Sequence, residues 1–178
     1  MRVLAGIYKS RNIDTVNSPN TRPMMSKVRE SIFSSLQFSI PDADVLDLYS
    51  GSGSLGIEAL SRGARFATFV EKSRDCVKIL EKNLKGLENN YKITNLSVDA
   101  FITTSINKYS VVFYDPPFNF DTEVVNDEIT LIAESIETGG HLIIHRHSSS
   151  QAIHLPKFYE IRKEKNYGQS NILIVKKI

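Results

Sequence analysis

From Asp44 onward the chain alternates short apolar runs with segments of helical spacing, and that alternation admits few folds. The runs VLDLY, FATFVE, ITNLSVD, YSVVFYD and GHLIIHRH are separated by LGIEALSRG, CVKILEKNLKGL, AFITTSIN and a helical stretch over residues 123–137. Strand and helix repeated in this order build a parallel sheet covered by helices on both faces. The last two runs, FYEIRKEK and NILIVKKI, lie close on either side of Tyr167-Gly168, which predicts an antiparallel hairpin at the sheet edge. The expected outline is α/β: five parallel strands plus a terminal hairpin. Ahead of it, residues 2–8 and 12–16 predict a small hairpin. Thr21 as cap and Pro23 at the first position predict a helix whose apolar stripe is Met24, Val28, Ile32, Phe33 and Leu36.

With 178 residues, 41% hydrophobic and 24% charged, one domain over residues 1–178 is expected, with 1–40 as an extension and 41–178 as the core. There is no apolar run of about eighteen residues and no signal-like N-terminus, so the reading is a soluble, cytoplasmic protein, monomeric by default and without a membrane partner. Cys76 is the sole cysteine, which excludes an internal disulfide or a thiolate metal cluster. The net charge of +2 hides an uneven distribution. Residues 1–40 carry six Lys/Arg against two acids, residues 141–178 seven against two, and the middle nine against sixteen. Basic ends suit a polyanion if they meet in space, and an acidic centre suits a cationic small molecule.

In VLDLYSGSGSLGIEAL a strand runs into Gly51, Gly53 and Gly56 and directly into a helix. Glycines there allow positive φ and close approach of a ligand, and the helix N-terminus offers free N–H groups to an anion. Glu71 ends the next strand 20 residues after Gly51, where a carboxylate can accept from ribose hydroxyls. Nicotinamide and flavin proteins share this grammar. Asp47, inside the strand before the loop, can take an amino group or brace the loop, and little chain remains for a second substrate domain; both favour S-adenosylmethionine. Asp99, at the end of the third strand, can accept from adenine or cap the following helix.

The most informative stretch is VVFYDPPF. A buried strand stops at two prolines, which thrusts Asp115 out at the carboxyl end of a parallel sheet, where ligands bind. The Asp115 carboxylate and the Pro116 carbonyl can each accept one N–H of an exocyclic amine. That draws the nitrogen lone pair out of conjugation and stabilises the positive charge that grows as it is methylated. Pro117 fixes the backbone, and Phe118 offers a stacking face to a base turned out of its helix. The reading is methyl transfer to the amino group of a nucleic-acid base. Its rivals are adenine or cytosine amines in DNA, a protein glutamine, a nicotinamide-dependent oxidoreductase, and an RNA-binding protein without chemistry.

These segments together resemble the RsmD family of 16S ribosomal RNA guanine-N2 methyltransferases. The likeness rests on RVLAGIYKSR, NTRPMMSKVRESIF, VLDLYSGSGSLGIEALSRGA, FVEKS, DPPF and KNYGQSNILIV, nearly the whole length. It implies a Rossmann-like class I methyltransferase fold, a seven-stranded sheet with the last strand antiparallel. It also implies S-adenosylmethionine as donor, no metal, and a guanine of small-subunit ribosomal RNA, free or in the subunit, as acceptor. By matched positions, Gly51, Gly53, Gly56 and Asp47 would hold the cofactor, Glu71 its ribose, Asp99 and Ala100 its adenine, and Asp115, Pro116, Pro117 and Phe118 the target amine. Asn20, Thr21, Arg22 and Pro23 would lie near the cofactor and lead RNA inward. The chain departs from the family at Met24-Met25-Ser26 and at His145, where a glutamate is expected.

His141, His145 and His147 share one strand face, but their spacing suits a single zinc poorly. His145, Arg146 and His147 are expected at the pocket rim, close to phosphate. Arg2, Lys9, Arg11 and Arg22 are the expected RNA phosphate contacts, and Tyr167 a turn residue that could reach the target.

Overall fold

The computed structural model describes residues 1–16 and 24–178. Its elements run α1 Ser26–Ser35, β1 Asp44–Leu48, α2 Ser54–Ser61, β2 Phe66–Val70, α3 Arg74–Leu84, β3 Tyr91–Thr94, α4 Val98–Thr104, β4 Tyr109–Tyr114, α5 Thr122–Ile132, β5 Ile136–His147, β6 Tyr159–Tyr167 and β7 Ser170–Lys177. The seven strands form one sheet in the order β3-β2-β1-β4-β5-β7-β6. Strands β1 to β5 pair in parallel, and β7 lies antiparallel between β5 and β6. The expected topology is the one observed.

Alternation along the strands produces two cores. Val45, Phe69, Val111, Phe113, Ile143, Ile172 and Ile174 face α1, α2 and α3. Leu46, Leu48, Val70, Val112, Tyr114, Leu142, Ile144 and Leu173 face α4 and α5. A period of two residues with both sets apolar is what a sheet covered on both sides requires. The α1 stripe expected from spacing is buried throughout, from Met24 to Leu36.

Several boundaries differ from expectation. Residues 2–8 and 12–16 make no two-stranded hairpin; one bridge joins Arg2 and Asn12, and the chain between them bends onto α2. The bend is held by Glu58, whose carboxylate accepts from Leu4 N and Ala5 N, and by Ser61. Gly6 sits at φ 85°, and a Cβ there would strike the Ser61 carbonyl. Helix α1 starts at Ser26: Met24 and Met25 are non-helical, and the Met25 carbonyl receives Val28 N and Arg29 N, while the expected first position, Pro23, lies outside the described residues. The proposed cap Thr21 lies outside the described residues. The third strand stops at Thr94, because the Asn95 side chain turns back to the Glu71 and Lys72 carbonyls. Helix α5 ends at Ile132, and residues 136–137 already belong to β5, which bulges against β4 around Gly139 and Gly140.

Candidate active site

The strand order reverses direction at the β1/β4 pair, and in parallel sheets the crevice for ligands opens at the carboxyl ends of such a pair. Register alone sets the residues there. The last aligned row is Val70, Leu48, Tyr114 and Ile144. One residue further on each strand come Glu71, Tyr49, Asp115 and His145. Strands β1, β2 and β4 end together there, which brings Glu71, Tyr49 and Asp115 to the rim, while β5 runs on and carries His145 beside Asp115 within the sheet.

After β1 the chain enters the left-handed region at Tyr49 (φ 57°), Gly51 (φ 52°) and Gly53 (φ 80°). The three glycines serve different ends. A Cβ on Gly53 would meet Leu80 at 2.3 Å, and one on Gly56 would meet the Phe69 ring at 2.2 Å, so these two admit close packing of helix on strand. At Gly51 the nearest atom to such a Cβ is the Tyr49 carbonyl at 4.0 Å, so this residue presents open backbone to a ligand. Glu71 clamps the loop: its Oε2 accepts from Gly51 N at 3.0 Å and its Oε1 from Ser73 N at 2.8 Å. Each oxygen retains a lone pair for a further donor.

Asp47 is buried, and its Oδ2 accepts from Gly56 N at 2.8 Å. Burial holds its carboxyl well above the usual carboxylate range; the Gly56 N–H opposes that, and the negative charges of Asp115 and Glu71 add to it. Of its two anticipated roles, bracing the loop is the one the geometry displays. A raised folded-state pKa means that stability falls as pH climbs from the ordinary carboxylate value through the folded one. Asp47→Asn keeps an acceptor for Gly56 N and removes the buried charge. Its stability is expected to match or exceed the parent's and to lack that decline. Asp47→Ala strands the N–H and should cost about 1–3 kcal/mol. Urea unfolding of the three proteins in mildly acidic and mildly alkaline buffer reads both effects.

Tyr49 was not singled out by sequence. Its left-handed backbone reverses the strand's alternation and sends the ring onto the α5 side, against Phe120 at a centroid distance of 5.6 Å. Its hydroxyl donates to Glu128 Oε1 at 2.7 Å, and Tyr114 donates to Glu128 Oε2 at 2.6 Å. Burial pushes both phenols up, and the Glu128 carboxylate adds to the effect. The network ties the end of β1 to α5 and to the loop after Asp115. A carboxylate on the apolar stripe Val125, Glu128, Ile129, Ile132 was the available signal.

Asp115 is partly exposed; its Oδ1 lies 2.7 Å from His145 Nδ1, and His145 Nε2 lies 2.9 Å from Ser170 Oγ. Neutral His145 can donate from Nδ1 to the carboxylate while accepting the Ser170 hydroxyl proton, so one oxygen of Asp115 is fixed and the other left to face the crevice. His145 and Arg146 are not rim residues, being 4% and 5% exposed. The β5/β7 pairing encloses both, and Arg146 points to the α5 side of the sheet, opposite His145. Pro116 is buried, and the Pro117 carbonyl accepts Phe120 N, which closes the turn. Phe118 stands edge-on to His145 and His147 at 5.1 and 5.5 Å, with 38% of its surface exposed.

Asp99 and Ala100 sit in the first turn of α4, beyond the end of β3 and not within it; the cap is Ser97. The Asp99 carboxylate adds slightly to the upward push on the Tyr49 phenol. Asn20, Thr21, Arg22 and Pro23 lie outside the described residues. Arg2 and Lys9 are exposed, whereas Arg11 is engaged by the Asn83 and Lys85 carbonyls at the end of α3. Tyr167 turns to α1, donating to Ser31 Oγ at 2.5 Å. The basic ends of the chain do meet: Lys165 and Lys163 donate to Ser31 and Ser35 of α1, and Lys27 lies 6.0 Å from the Tyr167 ring centroid. No group of metal-binding side chains occurs among the described residues.

A reversal of strand order, a glycine loop clamped by an acid, and an Asp-Pro-Pro-Phe turn beside it define a Rossmann-like methyltransferase. The model for a family described as conserved hypothetical protein 95 matches residues 1–176. Ribosomal RNA small subunit methyltransferase D of Escherichia coli is 32% identical over 172 residues, covering 95% of this chain and 86% of its own. The chain belongs to that family. A solved Escherichia coli protein, provisionally named a methyltransferase, superimposes with a TM-score of 0.89 at 28% identity, covering 99% of this chain and 97% of the other. The fold also matches SMU.776, a provisionally named methyltransferase solved with SAH, at a TM-score of 0.73 and 14% identity over 83% of this chain and 49% of that one.

Proposed function

We propose that this protein transfers a methyl group from S-adenosylmethionine to the exocyclic N2 amine of a guanine in small-subunit ribosomal RNA. The observation that carries the reading is that Asp115, held by His145, follows the end of β4 next to the end of β1, whose outgoing loop carries the open backbone of Gly51. The crevice fits a nucleoside cofactor: Gly51 leaves room against its backbone, Glu71 keeps acceptor capacity for a ribose diol, and Asp99, in the first turn of α4, is the acceptor assigned to adenine. Bound there, S-adenosylmethionine would supply an electrophilic methyl group. The ribosomal RNA activity named for the Escherichia coli relative, and the SAH held by a protein of this fold, support both halves of the proposal.

The protein's part is to prepare the nucleophile. The free oxygen of Asp115 and the Pro116 carbonyl accept the two N–H bonds of the target amine, which turns its lone pair away from the ring. As positive charge develops on nitrogen, the fixed carboxylate stabilises it without reorganisation and then takes the departing proton toward solvent. The exposed face of Phe118 stacks on the extruded base. Lys27, Lys163 and Lys165, together with Arg2 and Lys9, form the positive surface for the RNA backbone.

Tritium transfer from labelled S-adenosylmethionine into small-subunit RNA, followed by nucleoside analysis, should yield N2-methylguanosine. Label appearing in adenine, cytosine or protein instead would discard the guanine assignment. Reversing Lys27 and Lys165 to glutamate is expected to raise the KM for RNA and to flatten its salt dependence by roughly 1 in log–log slope for each phosphate no longer neutralised. Reversal of Arg2 and Lys9 tests the N-terminal cations in the same assay.

A further inference from the structure

Beyond Phe118 lies a pocket of about 540 Å³ between the loop entering α5 and the segment leaving β5. Arg146 forms part of its wall. Its Nη2 donates to the Phe120 carbonyl at 3.3 Å and to Thr122 Oγ1 at 3.4 Å, which holds the guanidinium at the start of α5. The Nε and Nη1 donors are buried without a partner, and no carboxylate of the described residues is within ion-pair distance. An arginine stays charged, so this is a desolvated cation lacking a counter-ion. The N-terminus of the eleven-residue helix α5 meets the same pocket, and the Asp121 side chain does not cap it. Asp121 is exposed at the pocket edge, His147 lines the pocket too, and Thr122, Ser149 and Gln151 there are neutral.

We infer that this pocket is an anion site that takes a phosphodiester of the substrate strand next to the extruded nucleotide. An unpaired buried guanidinium and an uncapped helix N-terminus converge on one opening, and each favours negative charge there. Its position beside Phe118 sets the phosphate close to the stacked base, so the contact fixes which nucleotide reaches Asp115. The inference rests on the proposed action on RNA and assigns to Arg146 a role separate from the chemistry.

The test compares Arg146→Met and Gln151→Glu with the parent enzyme on small ribosomal subunits lacking the methyl group. Arg146→Met removes the cation; Gln151→Glu is nearly isosteric, lies on the exposed wall, and places a carboxylate where the phosphate would sit. Each is expected to raise the KM for RNA about tenfold and to lower the salt slope by about 1, with kcat and S-adenosylhomocysteine affinity within about twofold of the parent. Unchanged KM and salt slope in Gln151→Glu overturns the site even if Arg146→Met fails to fold. Loss of S-adenosylhomocysteine affinity together with thermal stability would mark Arg146 as a structural residue only. A parent enzyme inactive on every RNA offered would remove the proposed function itself, and this inference with it.

Discussion

Replacing Asp115 with alanine is expected to lower kcat for methyl transfer by about 10²- to 10³-fold while leaving S-adenosylhomocysteine affinity within about twofold. The size follows from where the charge develops. An exocyclic amine is a weak nucleophile whose nitrogen becomes cationic only as the new bond forms, so a carboxylate facing it acts more strongly on the transition state than on the bound substrate. The cofactor side is insulated from the change. Gly51 is held by Glu71, and Gly56 by Asp47; neither uses Asp115. Asp115→Asn should be nearly as inactive. The His145 Nδ1–H selects the amide oxygen, which turns the NH2 toward the target amine and sets donor against donor. Single-turnover rates with saturating S-adenosylmethionine, alongside calorimetric titration of S-adenosylhomocysteine, separate the two readouts. An alanine variant retaining more than about a tenth of the parental rate would mean that the Asp-Pro-Pro-Phe turn does not grip the amine.

Why Asp115 could be read from sequence while its partner could not is a matter of range. Strand, diproline and aromatic are contiguous, and their consequence, a side chain thrust out at the end of a parallel strand, is local. The glycine loop is legible for the same reason, although only packing shows that Gly53 and Gly56 make room for Leu80 and Phe69 while Gly51 has open space beside it. His145 depends on pairing. It faces Asp115 because Ile144 registers with Tyr114, a relation between residues thirty positions apart. Tyr49 depends on a single backbone torsion that reverses strand parity, which residue type does not encode. The hairpin and the end of the third strand were misplaced where side chains of distant segments supplied the bonds: Glu58 bends the N-terminal segment, and Asn95 ends β3 early enough to put Asp99 in a helix. The basic ends were legible as charge, but their meeting across α1 and β6 is tertiary.

The same pairing makes His145 a positioning residue with a measurable effect. His145→Ala frees the carboxylate to rotate, and because a displacement of about 1 Å at a reacting group can cost about 10²-fold, kcat is expected to drop by about 10- to 10²-fold. KM for RNA should stay within about twofold, since a side chain 4% exposed does not touch the substrate. His145→Asn places an amide donor close to the position of Nδ1 and should recover most of the rate, whereas His145→Phe fills the space without a donor and should not. That contrast separates orientation of the carboxylate from simple filling of the β5/β7 core, because packing alone would favour the bulkier phenylalanine. Ser170→Ala removes the partner of Nε2 and is expected to give a smaller loss of the same kind, the ring then being held by one hydrogen bond in place of two. Equal activity of the asparagine and phenylalanine variants would show that Asp115 keeps its orientation without help from the fifth strand.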